Sequence, residues 1–428
     1  MTATLKVALL GCGTVGGEVA RYLDTHADDL AARIGARVEL AGIAVRRADL
    51  PRPGVPEHLI TTDAHELALR PDVDVVIELI GGVDTAGELI RTAFSHGASV
   101  VSANKALIAA QGTSLHEAAA AAGADLYYEA AVAGAIPLLR PLCESLAADR
   151  ITRVFGVVNG TTNFILDKME VLGACYQEAL KEAIQLGYAE ADPTADVEGH
   201  DAAAKAAILA GIAFTTRVRI EDVHREGITA ITSADITAAK ALGYSVKFLA
   251  VCDRGADDRS VRVRVHPAMI PAGHPLASVR GANNAVLVEA DAAGQLMFYG
   301  PGAGGAPTSS AVLGDLVAVG RNKLAGVTGF GSANYAGLVL RPMAEVSTRC
   351  YVRLEVTDAP DVLASVATVL ARHGVPIETS GRSGCSLALV THQATDGALA
   401  AAVAELRGLD HVHEVASLIR IEGTDPAP

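Results

Sequence analysis

Residues 6–16 read KVALLGCGTVG, an apolar run that leads into Gly11, Gly13 and Gly16 in GxGxxG spacing, with a helical pattern at 18–23. Glycines so placed allow a tight turn, let the backbone approach a pyrophosphate and aim a helix N-terminus at it. Alone they are weak grounds, because a tight strand-to-helix turn needs no ligand. The setting adds weight. A second strand pattern at 38–45 and the runs VDVVIELIGG (73–82) and ASVVSANKALIA (98–109) alternate with helical segments. Continuous Val/Ile-rich strands between helices predict an α/β, Rossmann-type, doubly wound parallel sheet over 1–130, with a further helix after GPGAGGAPTSS completing it at about 301–328.

Where the second strand ends, an NAD enzyme usually places an acid for the ribose 2′-hydroxyl. Arg46 and Arg47 stand there instead, and the nearest acid is Asp49. Paired guanidiniums favour a 2′-phosphate, so NADP(H) is expected over NAD(H). Two solvated arginines on a loop are the alternative.

At 428 residues the chain is too long for one average domain, and its 50% hydrophobic content suffices for sizeable cores. No uninterrupted apolar run reaches membrane-span length; the longest candidate, near 126–142, carries Glu129, Pro137 and Arg140. MTATLKVALLGCG enters a strand with no charged n-region and cleavage site, so a cytosolic protein is expected. Six scattered cysteines without CxxC imply neither disulfides nor zinc. A net charge of −14 and 4% aromatic residues argue against nucleic-acid binding. A small-molecule enzyme or sensor is the better class.

Beyond residue 125 the pattern changes. A long strand or two, a loop, a helical stretch and alternating runs such as VRVRV (261–265) and AVLVEA (285–290) predict an α+β catalytic and dimerisation domain over 131–300. A Gly-, Asn- and Pro-rich connector at 329–347 precedes a last unit over 348–422. Its order is strand 349–356, helix 361–373, strands 376–382 and 385–391, helix 396–407, strand 411–420, a ferredoxin-like βαββαβ unit.

The loop GYAEADPTADVEGHDAAAK (187–205) carries the chemistry. It sets Glu190, Asp192, Asp196, Glu198 and Asp201 before a helix with one lone cation, Lys205. Asp201 and Lys205 are four apart and share a helix face. Acids beside one amine suit an amino-acid substrate, the acids holding its ammonium while the lysine moves a proton. An ordinary surface ion pair is the competing reading. Against it, the helix is otherwise small and apolar (AAAKAAILAGIAF).

This run resembles the signature of homoserine dehydrogenases, met here as Gly187, Asp192-Pro193, Asp196, Gly199, Asp201 and Lys205. GCGTVG (11–16), IELIGG (77–82), SANK (102–105), NGTTNFIL (159–166) and GPGAGGAPTSSAV (300–312) extend the resemblance over most of the chain. It implies NAD(P)H-dependent reversible reduction of L-aspartate 4-semialdehyde to L-homoserine, on the path to threonine and methionine. No aspartate-kinase half precedes residue 1, so the monofunctional form is expected.

The resemblance also implies roles. Thr14 and Val15 join the glycines in the dinucleotide turn, and Lys105 lies at the nicotinamide end, though alone it would read as a strand-end lysine. Glu190 and Asp201 hold the substrate and Lys205 donates the proton. Gly187 and Gly305 fall where backbone approaches the cofactor. Glu129, with the carbonyls of Val132, Gly134 and Ile136, resembles a monovalent-cation site for Na⁺ or K⁺, chemically sensible for a hard cation. From the residues alone Glu129 reads as a buried strand acid with an unseen partner. A homodimer or homotetramer is implied. The last unit resembles an ACT domain, a sensor of amino acids such as threonine. Asp361 stands where that domain's first loop usually has glycine, which puts effector binding in question. Another semialdehyde or hydroxy-acid dehydrogenase and a non-catalytic amino-acid sensor are the rival classes.

Overall fold

The computed structural model describes residues 3–255, 257–329 and 335–423. The chain falls into two compact units, Met1–Val154 with Ala207–Ile220 and Val288–Gly337, and Phe155–Ala206 with Glu221–Leu287 and Leu338–Pro428.

The chain begins with β1 (Thr4–Leu10), α1 (Thr14–Thr25), α2 (Ala27–Ile34), β2 (Arg37–Ala44), β3 (Ile60–Thr61) and α3 (Ala64–Leu69). Then come β4 (Val75–Glu78), α4 (Asp84–Ser95), β5 (Ser99–Ser102), α5 (Lys105–Ala122) and β6 (Leu126–Tyr127). The six strands form one sheet, ordered β3-β2-β1-β4-β5-β6 and parallel throughout. This is the expected doubly wound sheet, whose order reverses between β1 and β4, where ligands bind beyond the strand ends. Val7, Leu9, Val75, Ile77 and Val101 are buried because helices cover both faces, which explains the unbroken apolar runs. The run at 98–109 is strand only to Ser102. Asn104 then accepts the Leu107 N–H at 3.2 Å, and this cap turns KALIA into the first turns of α5.

Next come β7 (Ile151–Val157), α6 (Gly160–Leu172), α7 (Tyr176–Gln185), α8 (Thr194–Val197) and α9 (His200–Ala213). The expected strand leading toward the signature loop is β7, and the helices α6 and α7 stand between it and the loop. Residues 161–166 of α6 are buried, so the helix shows no polar face from which its period could be read. Then follow β8 (His224–Arg225), α10 (Ser233–Ala241), β9 (Tyr244–Arg254), β10 (Ser260–Pro271), β11 (Asn283–Ala290), β12 (Gly294–Pro301) and α11 (Gly305–Ala325). Phe155, Val157, Leu249, Val251, Ile270, Leu276 and Leu287 form an apolar core in the second unit.

Of the connector at 329–347, residues 330–334 lie outside the described residues. Beyond it β13 (Val339–Leu340) pairs with β10. The chain ends with β14 (Ser347–Val356), α12 (Val362–Arg372), β15 (Ile377–Ser383), β16 (Ser386–Thr391), β17 (Ala394–Thr395), α13 (Asp396–Leu406) and β18 (Val412–Ile421). The order β18-β14-β16-β15 is that of the ferredoxin-like arrangement expected from the pattern. Its sheet does not stop there. β18 pairs with β10 through Ala268↔Arg420 and Met269↔Ile421, so β9, β10, β18, β14, β16 and β15 belong to one sheet.

Candidate active site

Helix α9 starts directly after Gly199, whose φ of +81° suits glycine and where a Cβ would stand 2.9 Å from Phe248 Cζ. One turn on, Lys205 Nζ donates to Asp201 Oδ2 at 2.7 Å and to the Val158 carbonyl at 2.8 Å. Both residues are only 8% exposed, which removes the surface ion pair as an account of their spacing. Ala202, Ala203, Ala204, Ala206 and Ala207 are buried around them. An ammonium carries three donors, so with two used one remains for a ligand oxygen.

One further side chain closes on Asp201. Asn159 Nδ2 donates to Asp201 Oδ2 at 2.9 Å and to Asp196 Oδ1 at 2.7 Å. The Asp196 and Asp201 carboxylates thus share one amide. Asp192 acts locally: its Oδ1 accepts the Thr194 N–H and hydroxyl at 3.1 and 2.6 Å, which turns the chain into α8 and lowers its pKa. Glu190 is exposed on the same loop. Gly187, φ +75°, follows the end of α7.

In the first unit, a Cβ on Gly16 would stand 2.1 Å from the Gly11 carbonyl, so the turn closes only with glycine there. Gly13, the N-cap of α1, has open space around it and leaves backbone N–H groups facing outward for an anion. Thr14 and Val15 begin α1. Gly305 opens α11 against this turn, its Cβ position 3.1 Å from the Thr14 carbonyl. These features fit a bound dinucleotide.

Lys105 is half-buried at the first residue of α5, beyond the end of β5. A network behind it went unread in the sequence. The fully buried Glu78 accepts the Ile80 and Gly81 N–H groups at 2.9 and 3.1 Å and the Ser102 hydroxyl at 2.7 Å. Asn104 Nδ2 donates to the Gly82 carbonyl at 2.6 Å. The loops after β4 and β5 are thereby joined at the ligand-binding end of the sheet. Arg46 and Arg47 are exposed just past β2. Arg52 donates to the carbonyls of Arg47 and Leu50, each at 2.8 Å, and holds that loop folded.

Glu129 lies in a short 3₁₀ turn rather than a strand, and its partners are found. Oε1 accepts the Leu138 and Leu139 N–H groups at 2.5 and 2.7 Å; Oε2 accepts the Arg140 N–H at 2.9 Å and its Nε at 3.4 Å. The four lone-pair directions of the carboxylate are filled. The turn through Val132, Gly134 and Ile136 has positive φ at Ala133 (+60°) and Gly134 (+57°). Asp315, on α11, accepts the Glu129 backbone N–H at 2.8 Å. Burial and the nearby Glu129 charge push its carboxyl up to about 8.

Asp201 and Lys205 thus come together, as do the glycine turn, Thr14 and Gly305, while the Glu129 turn stands by itself and Asn159, Glu78 and Arg52 join as residues not foreseen. Known proteins share the sequence and fold of this chain. Residues 11–129 match the homoserine dehydrogenase NAD-binding domain family and 137–317 the homoserine dehydrogenase family. The homoserine dehydrogenase of Mycobacterium leprae is 54% identical over 433 residues, covering 98% of each chain. The structure of a homoserine dehydrogenase from Thiobacillus denitrificans superposes with a TM-score of 0.95 at 39% identity, over 99% of both chains. A hyperthermophilic archaeal homoserine dehydrogenase in complex with NADPH covers 77% of this chain with 100% of its own, at 25% identity and a TM-score of 0.64. The chain belongs to the homoserine dehydrogenase family, oxidoreductases that act on a CH–OH group with a nicotinamide cofactor.

Proposed function

We propose that the chain interconverts L-aspartate 4-semialdehyde and L-homoserine with NADP(H) as preferred coenzyme and Lys205 as proton donor. The buried Asp201–Lys205 pair carries this reading. The reduced nicotinamide supplies hydride to the aldehyde carbon, and negative charge then grows on the aldehyde oxygen. Lys205 keeps one donor for that oxygen, stabilises the charge and delivers the proton. Asp201 and Val158 fix the ammonium's direction. Glu190 and Asp201 supply negative charge for the substrate's own ammonium, and Lys105 stands ready at the nicotinamide end. Arg46 and Arg47 take the 2′-phosphate, which the NADPH of the archaeal relative supports.

For the monovalent cation the Glu129 carboxylate does not fit, because its lone pairs are spent on Leu138, Leu139 and Arg140. The carbonyls of Val132, Gly134 and Ile136 remain as ligands, and no step of the reaction runs through them. The C-terminal βαββαβ unit serves as an ACT-type module, with threonine as its effector, and the enzyme works as a homodimer or homotetramer in the cytoplasm.

Lys205→Met tests the central assignment. It is expected to lower kcat by roughly 10²–10⁴-fold while NADPH binding, followed by fluorescence titration, stays unchanged. Near-normal turnover by the folded variant removes Lys205 from the mechanism.

A further inference from the structure

We infer that Asn159 is a positioning residue for this reaction: its amide gathers Asp196 and Asp201 and fixes the oxygen on which Lys205 rests. The inference builds on the assignment of Lys205 as proton donor.

Asn159 is 3% exposed, and its amide orientation is set from both ends. Oδ1 accepts the Thr162 N–H at 2.9 Å and the Thr162 hydroxyl at 3.0 Å, capping α6. Turning the amide over would aim its hydrogens at the Thr162 N–H and its oxygen at two carboxylates. The two Nδ2 hydrogens therefore go to Asp196 Oδ1 and Asp201 Oδ2. Asp201 Oδ2 receives Asn159 from one side and Lys205 from the other, so the ammonium rests on an oxygen that cannot swing. The amide also offsets the repulsion between two carboxylates held close together.

The cap itself is anchored. A Cβ on Gly160 would stand 2.5 Å from the Ala282 carbonyl, so the start of α6 lies directly on that loop. Asn163 Nδ2 donates to the Gly281 carbonyl at 2.8 Å, and Lys247 Nζ to the Val279 carbonyl at 2.7 Å. Asn159 thus passes the position of a rigid helix end to the reacting lysine.

A residue that only capped α6 would be replaceable by any good cap. Asn, Asp and Ser cap about equally well, so Asn159→Ser and Asn159→Asp separate the two roles. Asn159→Ser keeps the cap and loses the bridge; kcat should fall on the order of 10²-fold with the NADPH Kd unchanged. Asn159→Asp keeps the cap and sets a third carboxylate by the lysine, which favours the protonated ammonium. Homoserine oxidation needs the lysine neutral to take the proton, so its rise with pH should come at higher pH in this variant than in the wild type. Wild-type kcat in both variants with an unmoved pH limb would leave Asn159 as a cap and overturn the inference. Lys205→Met, assayed beside them, separates the two levels: an active Lys205→Met overturns the lysine assignment itself.

Discussion

Arg264 and Glu422, 158 positions apart, form a buried ion pair in which Nε and Nη2 both donate to Glu422 Oε1, at 3.0 and 2.7 Å. Arg264 also pairs with Asp253, and both side chains of the 264–422 pair are almost fully enclosed. The pair joins β10 to the residue after β18. Removing one partner leaves the other buried charge with a weakened set of partners, Asp253 for Arg264 and His266 for Glu422, and breaking a buried pair in this way costs up to about 3–5 kcal/mol. Glu422→Gln and Arg264→Met should both lower the thermal unfolding temperature, and the double variant should lose less than the sum. Additive losses would mean the two charges do not stabilise each other.

Asp201→Asn keeps the shape of the Lys205 partner and removes its charge. The aldehyde KM should rise more than the NADPH KM, because the carboxylate belongs to the second unit and the glycine turn to the first. A change confined to the cofactor KM would assign Asp201 to the wrong ligand.

Coenzyme choice rests on the loop after β2. Alanine at both Arg46 and Arg47 should weaken NADPH and spare NADH. Arg52→Met should do the same more mildly, because it frees the carbonyls of Arg47 and Leu50 that hold the loop in shape. A wild-type preference for NADH would contradict the assignment.

Asp315 gives the pH dependence a definite sign. Its folded pKa of about 8 lies above the ordinary carboxylate value, about 3.9 in an unfolded chain. From about pH 4 to 8 the native state therefore holds a proton that the unfolded state has released. This group's contribution is complete below that window and is lost as pH rises through about 8. Asp315→Asn does not titrate, so its Tm relative to wild type should climb across the window and then level off. A constant difference would show that Asp315 is ionised throughout.

Asp361 stands at the N-cap of α12 but makes no capping hydrogen bond, so its carboxylate contributes little to the helix. Threonine is expected to inhibit the wild type weakly, and Asp361→Gly to gain inhibition. Strong inhibition of the wild type at sub-millimolar threonine would refute this.

Features with local causes were legible in the sequence. The glycine turn, the strands around it and the βαββαβ order follow from patterns a few residues long, as does the Asp201–Lys205 pair. What was missed depends on partners distant in sequence. Asn159 lies 42 residues from Asp201, and its role shows only when the N-cap of α6 meets the first turn of α9. The donors to Glu129 come from the turn nine to eleven residues later, a chain reversal that no periodicity announces. Arg420 pairs with Glu226 at 2.8 Å across 194 positions, which tied a unit read as separate into the sheet before it.

The packing of α11 bears on how the protein is made. Val312, Leu316 and Val319 share one core with Leu5, Val19, Leu23 and Ile34. A ribosome adding about 5–20 residues per second delivers those two groups roughly 15–60 s apart. Through that interval the newborn sheet keeps an apolar flank open to water. The second unit waits longer still, since β18 is its last strand to emerge and must reach back to β10. Neither core is complete while the chain is half-built, so each exposes apolar surface until its last element has emerged.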